Sequence, residues 1–334
     1  MKKQFIIIIV VILFISIGLS GCVEEQKKNL EGIGLQLTTD PLRDEDPFLI
    51  RNSNGLYMCV WCSNRSGNGD IWYSSSFDMS NWSNPVQLTS NLSDDWYPSL
   101  IQDSNNEYWM AWVSWRKYNY DIWCANSKDG INWSEPIQIT MNISNDWAPH
   151  IIQDASGIYW IVFSSGRSGN NDIWYINSAD GKNWSNPIQF TTDLAEDNCP
   201  SLIQDSKGTY WIVWHSNLQG EYDIYYSNST DGITWSHPIL LTNQKSVDMY
   251  PFIYQDSNSA YWITWTSDRS DIQGDIWYST SYNGRSWSSP TQFTTSTSKD
   301  YTPKIAEGYS DDMLWITWVS DRSGNLDIWY SQIR

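Results

Sequence analysis

Residues 200–242 read PSLIQDSKGTYWIVWHSNLQGEYDIYYSNSTDGITWSHPILLT, and the reading of this stretch decides the fold. It holds four short runs rich in aromatic and β-branched residues, at 201–204, 210–214, 223–226 and 239–242. Turn formers separate them: Asp205-Ser206-Lys207-Gly208 after the first run and Asp231-Gly232 after the third. Such runs fit a pleated, half-buried surface, and Asp and Gly supply the backbone geometry of tight turns. The stretch is one copy of six. The proline that opens each copy falls at Pro47, Pro98, Pro149, Pro200, Pro251 and Pro303, at intervals of 51 residues and a last interval of 52. Four strands in about 50 residues, repeated, predict a blade of a β-propeller.

The ends of the chain predict closure. The last copy stops after Asp327-Ile328-Trp329-Tyr330 and lacks a fourth strand, while Leu35-Gln36-Leu37-Thr38 near the N-terminus is an orphan fourth strand. Thr38 precedes Asp44 by six residues, the interval that separates Thr89 from Asp95 and Thr242 from Asp248. The expected fold is therefore all-β: six four-stranded blades over 32–334, the ring closed by the N-terminal strand completing the last blade. An open array would leave a sheet edge and an apolar blade face exposed.

Before the ring, Lys2 and Lys3 lead into an apolar run over 5–19, about the length of an export signal and short for a membrane-spanning helix. It ends in Leu19-Ser20-Gly21-Cys22, which resembles the lipobox of exported lipoproteins. The resemblance implies removal of the signal and a lipid on Cys22. An uncleaved membrane anchor is the alternative. Either way the expectation is signal 1–22, polar linker 23–31 and a propeller held extracytoplasmically at the outer face of the cell membrane.

Acidic residues outnumber Lys and Arg by 38 to 20, and loss of Lys2 and Lys3 takes the formal charge from −18 to −20. A chain this acidic repels nucleic acid and anionic headgroups. Cys59, Cys62, Cys124 and Cys199 stand at unmatched phases of the repeat, and only His150, His215 and His237 accompany them. No disulfide pairing, metal set or cofactor is expected, and the chain is expected to be a monomer.

Two motifs repeat with the blades. Ser127-Lys128-Asp129-Gly130 with Trp133 recurs around Asp180 and Asp231, and more loosely around Asp78 and Asn283. It resembles the Asp-box, or BNR, repeat of the sialidase superfamily, one residue shorter between Asp and Trp. The resemblance implies a structural turn away from the functional face. A second stretch, Ser63-Asn64-Arg65-Ser66-Gly67-Asn68-Gly69-Asp70, looks like the loop of TolB-type propeller repeats. Its arginines are Arg65, Arg116, Arg167, Arg269 and Arg322, with Leu218 in the fourth blade. Connectivity should bring them to the carboxylates Asp44, Asp95, Asp146, Asp197, Asp248 and Asp300, either as a repeated structural contact or as a ring for a cation or anionic sugar.

Function in a symmetric array is expected where the repeat breaks. The residue after each proline is Phe48, Ser99, His150, Ser201, Phe252 or Lys304, and Trp96, Tyr97, Trp147, Tyr250 and Tyr301 cluster just before it. Blade 2 carries Arg116, Tyr118 and Tyr120 in its loop, and blade 4 carries His215. All map to the mouth of the predicted channel. Aromatic rings beside polar groups suit sugars, whose apolar faces stack while hydroxyls are hydrogen-bonded.

The leading expectation is a lipid-anchored binding module for carbohydrate or a glycosylated partner, with a glycoside hydrolase and an envelope scaffold for proteins as alternatives. The sialidase resemblance implies an arginine clamp, a Tyr–Glu pair and an acidic Asp. Glu221 beside Tyr222 is the pair the sequence offers, while the Phe-Arg-Ile-Pro signature of that family is missing. Asp46-Pro47 with Gly55-Leu56-Tyr57 is similar to the first blade of five-bladed arabinanase-type glycosidases, where such an Asp is the general base.

Overall fold

The computed structural model describes residues 34–334 except 271, 311 and 312. The expected export signal over 1–22, with Cys22, and the expected linker over 23–31 lie outside the described residues. Six four-stranded antiparallel sheets follow one another in chain order. Blade 1 comprises Asp44–Arg51, Tyr57–Ser63, Asp70–Ser76 and Val86–Gln87. The sixth comprises Asp300–Glu307, Leu314–Ser320 and Asp327–Gln332, completed by Leu35–Gln36 from the N-terminus, with Leu35 opposite Tyr330. Gln36 donates to Asp327 at 3.0 Å, the bond that Gln87 makes to Asp70 in blade 1, so the splice reproduces a continuous blade.

Second strands form the core. All six are fully buried, and Trp61, Trp112, Phe163, Trp214, Trp265 and Trp318 occupy one position in successive blades. Neighbouring blades also share hydrogen bonds. The Tyr159, Tyr210 and Tyr261 hydroxyls donate to Asp103, Asp154 and Asp205 of the preceding blade at 2.6–2.7 Å.

Two strand boundaries differ from the sequence expectation. Each innermost strand starts three residues before the proline, at Asp197 rather than Ser201 in blade 4. The register slips across the proline in every blade, between Asn198 and Ser201 there, because the residue ahead of it takes positive φ. The fourth strand is shorter, Ile239–Leu240, because Leu241 N and, in the matching blades, the following Thr N converge on one carbonyl and end the ladder.

Asp-box turns lie at the third-to-fourth-strand corners. Asp129 Oδ1 accepts from Ile131 N and Asn132 N at 2.9 and 2.7 Å, and Ser127 Oγ accepts from Gly130 N at 2.9 Å. Those bonds hold Asp78, Asp129 and Asp180 well below the usual carboxylate range and Asp231 down to about 2. Asn283 makes the same backbone bonds without a charge. The glycine has a packing reason as well: at Gly181, φ is +69° and a Cβ would lie 2.2 Å from Trp109 of the preceding blade.

Candidate functional site

The predicted meeting of the Asp and Arg sets occurs in five blades. Arg167 Nη2 donates to both Asp146 oxygens at 2.7 and 2.8 Å, its Nε donates to Ser165 Oγ at 2.8 Å, and its guanidinium carbon lies 5.0 Å from the Trp174 ring centre. Arg116 is bound to Asp95 in this way and does not enter the channel mouth. These arginines are committed to the blades, so they form no clamp for a ligand carboxylate.

The mouth is built by the slip at each proline. Asp46, Tyr97, Ala148, Cys199, Tyr250 and Thr302 all have φ between 48° and 56°. A non-glycine residue in this region is strained, and here it recurs around the whole ring. The slip aims these six side chains at the axis. In three blades a side chain satisfies the N–H of the strained residue: His215 Nδ1 for Tyr250 at 3.3 Å, Ser164 Oγ for Cys199 and Thr266 Oγ1 for Thr302.

Above the ring of strained residues lies a cleft of about 340 Å³, walled by Trp96, Tyr97, Tyr120, Trp147, Tyr250 and Tyr301. The Tyr120 and Trp147 rings stand 4.1 Å apart, and Tyr97 meets Trp147 edge-on at 6.3 Å. The polar groups are Arg43, Glu45, Asp46 and Lys299. Glu45 accepts from Tyr301 Oη at 2.8 Å and from Arg43 Nη2 at 2.7 Å. Asp46 is pushed up to about 7 by burial and by the Glu45 charge, against the pull of Lys304 and the Tyr97 N–H.

Below this ring the channel is nearly filled, leaving a cavity of about 50 Å³. Phe48, His150 and Phe252 pack with centroids 5.6–5.9 Å apart, and Lys304 Nζ lies 5.0 Å over Phe252. Burial lowers Lys304 to about 8 and His150 to about 3.

Of the sequence candidates, Trp96, Tyr97, Trp147, Tyr120, Tyr250 and Tyr301 therefore come together, with Asp46 at their base. His150 and Lys304 line the plugged channel instead. His150 and His215 accept backbone N–H bonds through Nδ1, from Leu202 at 2.8 Å and from Tyr250, and burial keeps both rings neutral. Tyr118 is 95 % exposed on its loop and lines no part of the cleft. Glu221 is exposed, and Tyr222 packs edge-on to His215 at 5.1 Å, so this pair is also outside the cleft. Glu45 and Arg43 escaped the sequence reading. Their signal was a carboxylate at position 45, where other blades place Trp96, Trp147 or Tyr301.

No family model matches the chain, and no curated protein sequence matches it. Solved structures do. A protein of unknown function from Dyadobacter fermentans superposes with a TM-score of 0.75 at 12 % identity, covering 90 % of this chain and 98 % of that one. The α-L-arabinanase of Penicillium chrysogenum, solved with arabinobiose, gives 0.69 at 16 % identity over 90 % and 97 % of the two chains. A Hadza microbial sialidase gives 0.65 at 18 % identity, covering 87 % of this chain and 65 % of the sialidase. The fold is that of the six-bladed, Asp-box-bearing propellers that include sialidases and arabinanases. The arabinanase neighbours have six blades, unlike the five-bladed type to which the Asp46-Pro47 stretch is similar.

Proposed function

We propose that this chain recognises carbohydrate, free or on a glycosylated partner, through the mouth cleft, and is displayed outside the cytoplasm on a lipid tether at Cys22. The cleft itself carries the reading. Six aromatic residues line it together with Arg43, Glu45, Asp46 and Lys299, the two kinds of contact that a sugar ring requires. Trp96, Tyr120 and Trp147 would stack on apolar sugar faces, while Glu45, Asp46 and Tyr301 would bond hydroxyls. Neighbours named as an arabinanase and a sialidase support a sugar as the ligand class. A glycan array probed with the protein, followed by titration of the best hit, tests it. Saturable binding that weakens about tenfold or more in Trp147→Ala supports the proposal. No retained glycan at any concentration overturns it.

One observation favours glycoside hydrolysis at the same cleft. With its carboxyl at about 7, Asp46 holds a proton near neutrality and could serve as a general acid, beside a carboxylate, Glu45, already bonded to a tyrosine. The Tyr301 hydroxyl is raised by burial and by Glu45, so it is not poised as a phenolate. Turnover of chromogenic glycosides, arabinosides and a sialoside included, that disappears in Asp46→Asn would establish this reading. Glycan binding with no turnover would leave recognition alone.

A further inference from the structure

Five blades hold an arginine in one place and the fourth does not. The loop from Ser216 to Asp223 has the length of that from Ser63 to Asp70, and Leu218 stands where Arg65 stands. Leu218 N donates to Ser216 Oγ at 3.3 Å, as Arg65 N donates to Ser63 Oγ at 3.4 Å, so the loop backbone is unchanged.

The groups that receive the guanidinium are still present. Asp197 is fully buried at the position of Asp146, and Ser216 stands at that of Ser165. Trp214 and Tyr225 are cross-strand partners, their rings 6.0 Å apart and 24° from parallel, in the place of Phe163 and Trp174 under Arg167. Leu218 does not substitute for the missing side chain. It is 49 % exposed, whereas the five arginine side chains are 10–15 % exposed.

The consequence is a cluster of orphaned polar atoms. Neither Asp197 oxygen has a hydrogen bond within 3.5 Å, and the buried Tyr225 Oη has none. A buried carboxylate without a partner is costly, and nearly all buried polar groups are satisfied. Burial pushes Asp197 up to about 6, against the pull of the Ser216 and Thr191 hydroxyls and with a smaller contribution from the nearby Asp193 and Asp172. Asp146, the equivalent carboxylate of blade 3, accepts two bonds from its arginine.

We propose that blade 4 carries a binding site for a guanidinium-type organic cation, its N–H groups on Asp197 and Ser216 and its plane on Trp214 and Tyr225. Asp197, Ser216, Trp214 and Tyr225 are only 0–3 % exposed, so the cation enters as the loop that carries the half-exposed Leu218 gives way. The surrounding charge favours it, since Asp172, Asp193 and Asp223 also bear on this corner of the blade. The same chemistry could come from a free small molecule or from an arginine side chain of a partner protein. The site is separate from the mouth cleft, and its failure would leave the carbohydrate reading intact.

Calorimetric titration of the full-length chain with ethylguanidinium chloride, at ionic strength matched with sodium chloride, tests the site. The expected result is saturable one-site binding with a dissociation constant on the order of 1 mM. Binding should fall below detection in Leu218→Arg, which supplies the missing arginine from the chain itself, and in Asp197→Asn. Because Leu218→Arg restores the arrangement of five other blades, it keeps the test decisive even if Asp197→Asn fails to fold. No saturable heat with the unmutated chain, or equal binding by Leu218→Arg, overturns the proposal. A blocked Gly-Arg-Gly peptide separates the sources: binding at least as tight as ethylguanidinium assigns a partner's arginine, and binding of ethylguanidinium alone assigns a free cation.

Discussion

The two faces of the ring follow different rules. On the face of the Asp-box turns the blades repeat one another: Asp129, Asp180 and Asp231 make the same backbone bonds within 0.1 Å, and Tyr hydroxyls tie blade to blade. On the channel-mouth face the backbone also repeats, down to the positive φ ahead of each proline, yet the side chains it displays are an aspartate, two tyrosines, an alanine, a cysteine and a threonine. What recurs in every blade holds the blade together. A strained backbone kept six times with a changing side chain suits the display of varied groups, and this contrast supports the proposal that the mouth is the binding site.

The contrast can be broken most severely on the repeating face. Gly181→Val would place a β-branched side chain at positive φ and against Trp109, costing on the order of 4 kcal/mol. Denaturant unfolding should show a lower midpoint, while any folded protein retains glycan affinity. Next comes Arg167→Leu, which converts blade 3 to the state of blade 4 and strands Asp146. A loss of about 3 kcal/mol is expected in the same assay. Leu218→Arg should act in the opposite sense by completing the sixth pair.

Substitutions on the mouth face should separate binding from stability. Trp147→Ala removes a half-buried ring from the cleft wall and should weaken glycan binding by about 1.4–2.8 kcal/mol, measured by titration, with little change in Tm. A further effect is on pH dependence. The folded-state carboxyl of Asp46 is raised to about 7, so the folded chain holds a proton there that the unfolded chain releases. Its contribution therefore favours folding as pH falls from about 7 toward 4 and is lost as pH rises through 7. Asp46→Asn should flatten the Tm–pH profile in that window, a change of about 2–4 °C for each kcal/mol removed.

Much of this architecture was legible in the chain. A proline every 51 residues and the matched phase of Thr38 with Asp44 carried both the blade count and the closure. The wall of the cleft was legible too, because Trp96, Trp147 and Tyr301 interrupt the repeat at one phase. The Tyr301–Glu45 bond was not, since it joins residues 256 apart that meet only when the last blade closes on the first. The bonds made by His150 and His215 were hidden for a different reason. Sequence shows that an imidazole is present, but only the fold shows that its Nδ1 is spent on a neighbouring backbone N–H. The orphaned Asp197 was half visible: Leu218 marked the broken pair, but not that the receiving groups would keep their places.

The most direct test of the account pairs one substitution on each face. Glycan binding is titrated for the unmutated protein, for Trp147→Ala at the mouth, and for Lys182→Ala, an exposed residue of an Asp-box turn. The account predicts that binding falls tenfold or more in Trp147→Ala and is unchanged in Lys182→Ala, with all three proteins equally stable. Equal affinity in Trp147→Ala and the unmutated protein, or loss confined to Lys182→Ala, would contradict it.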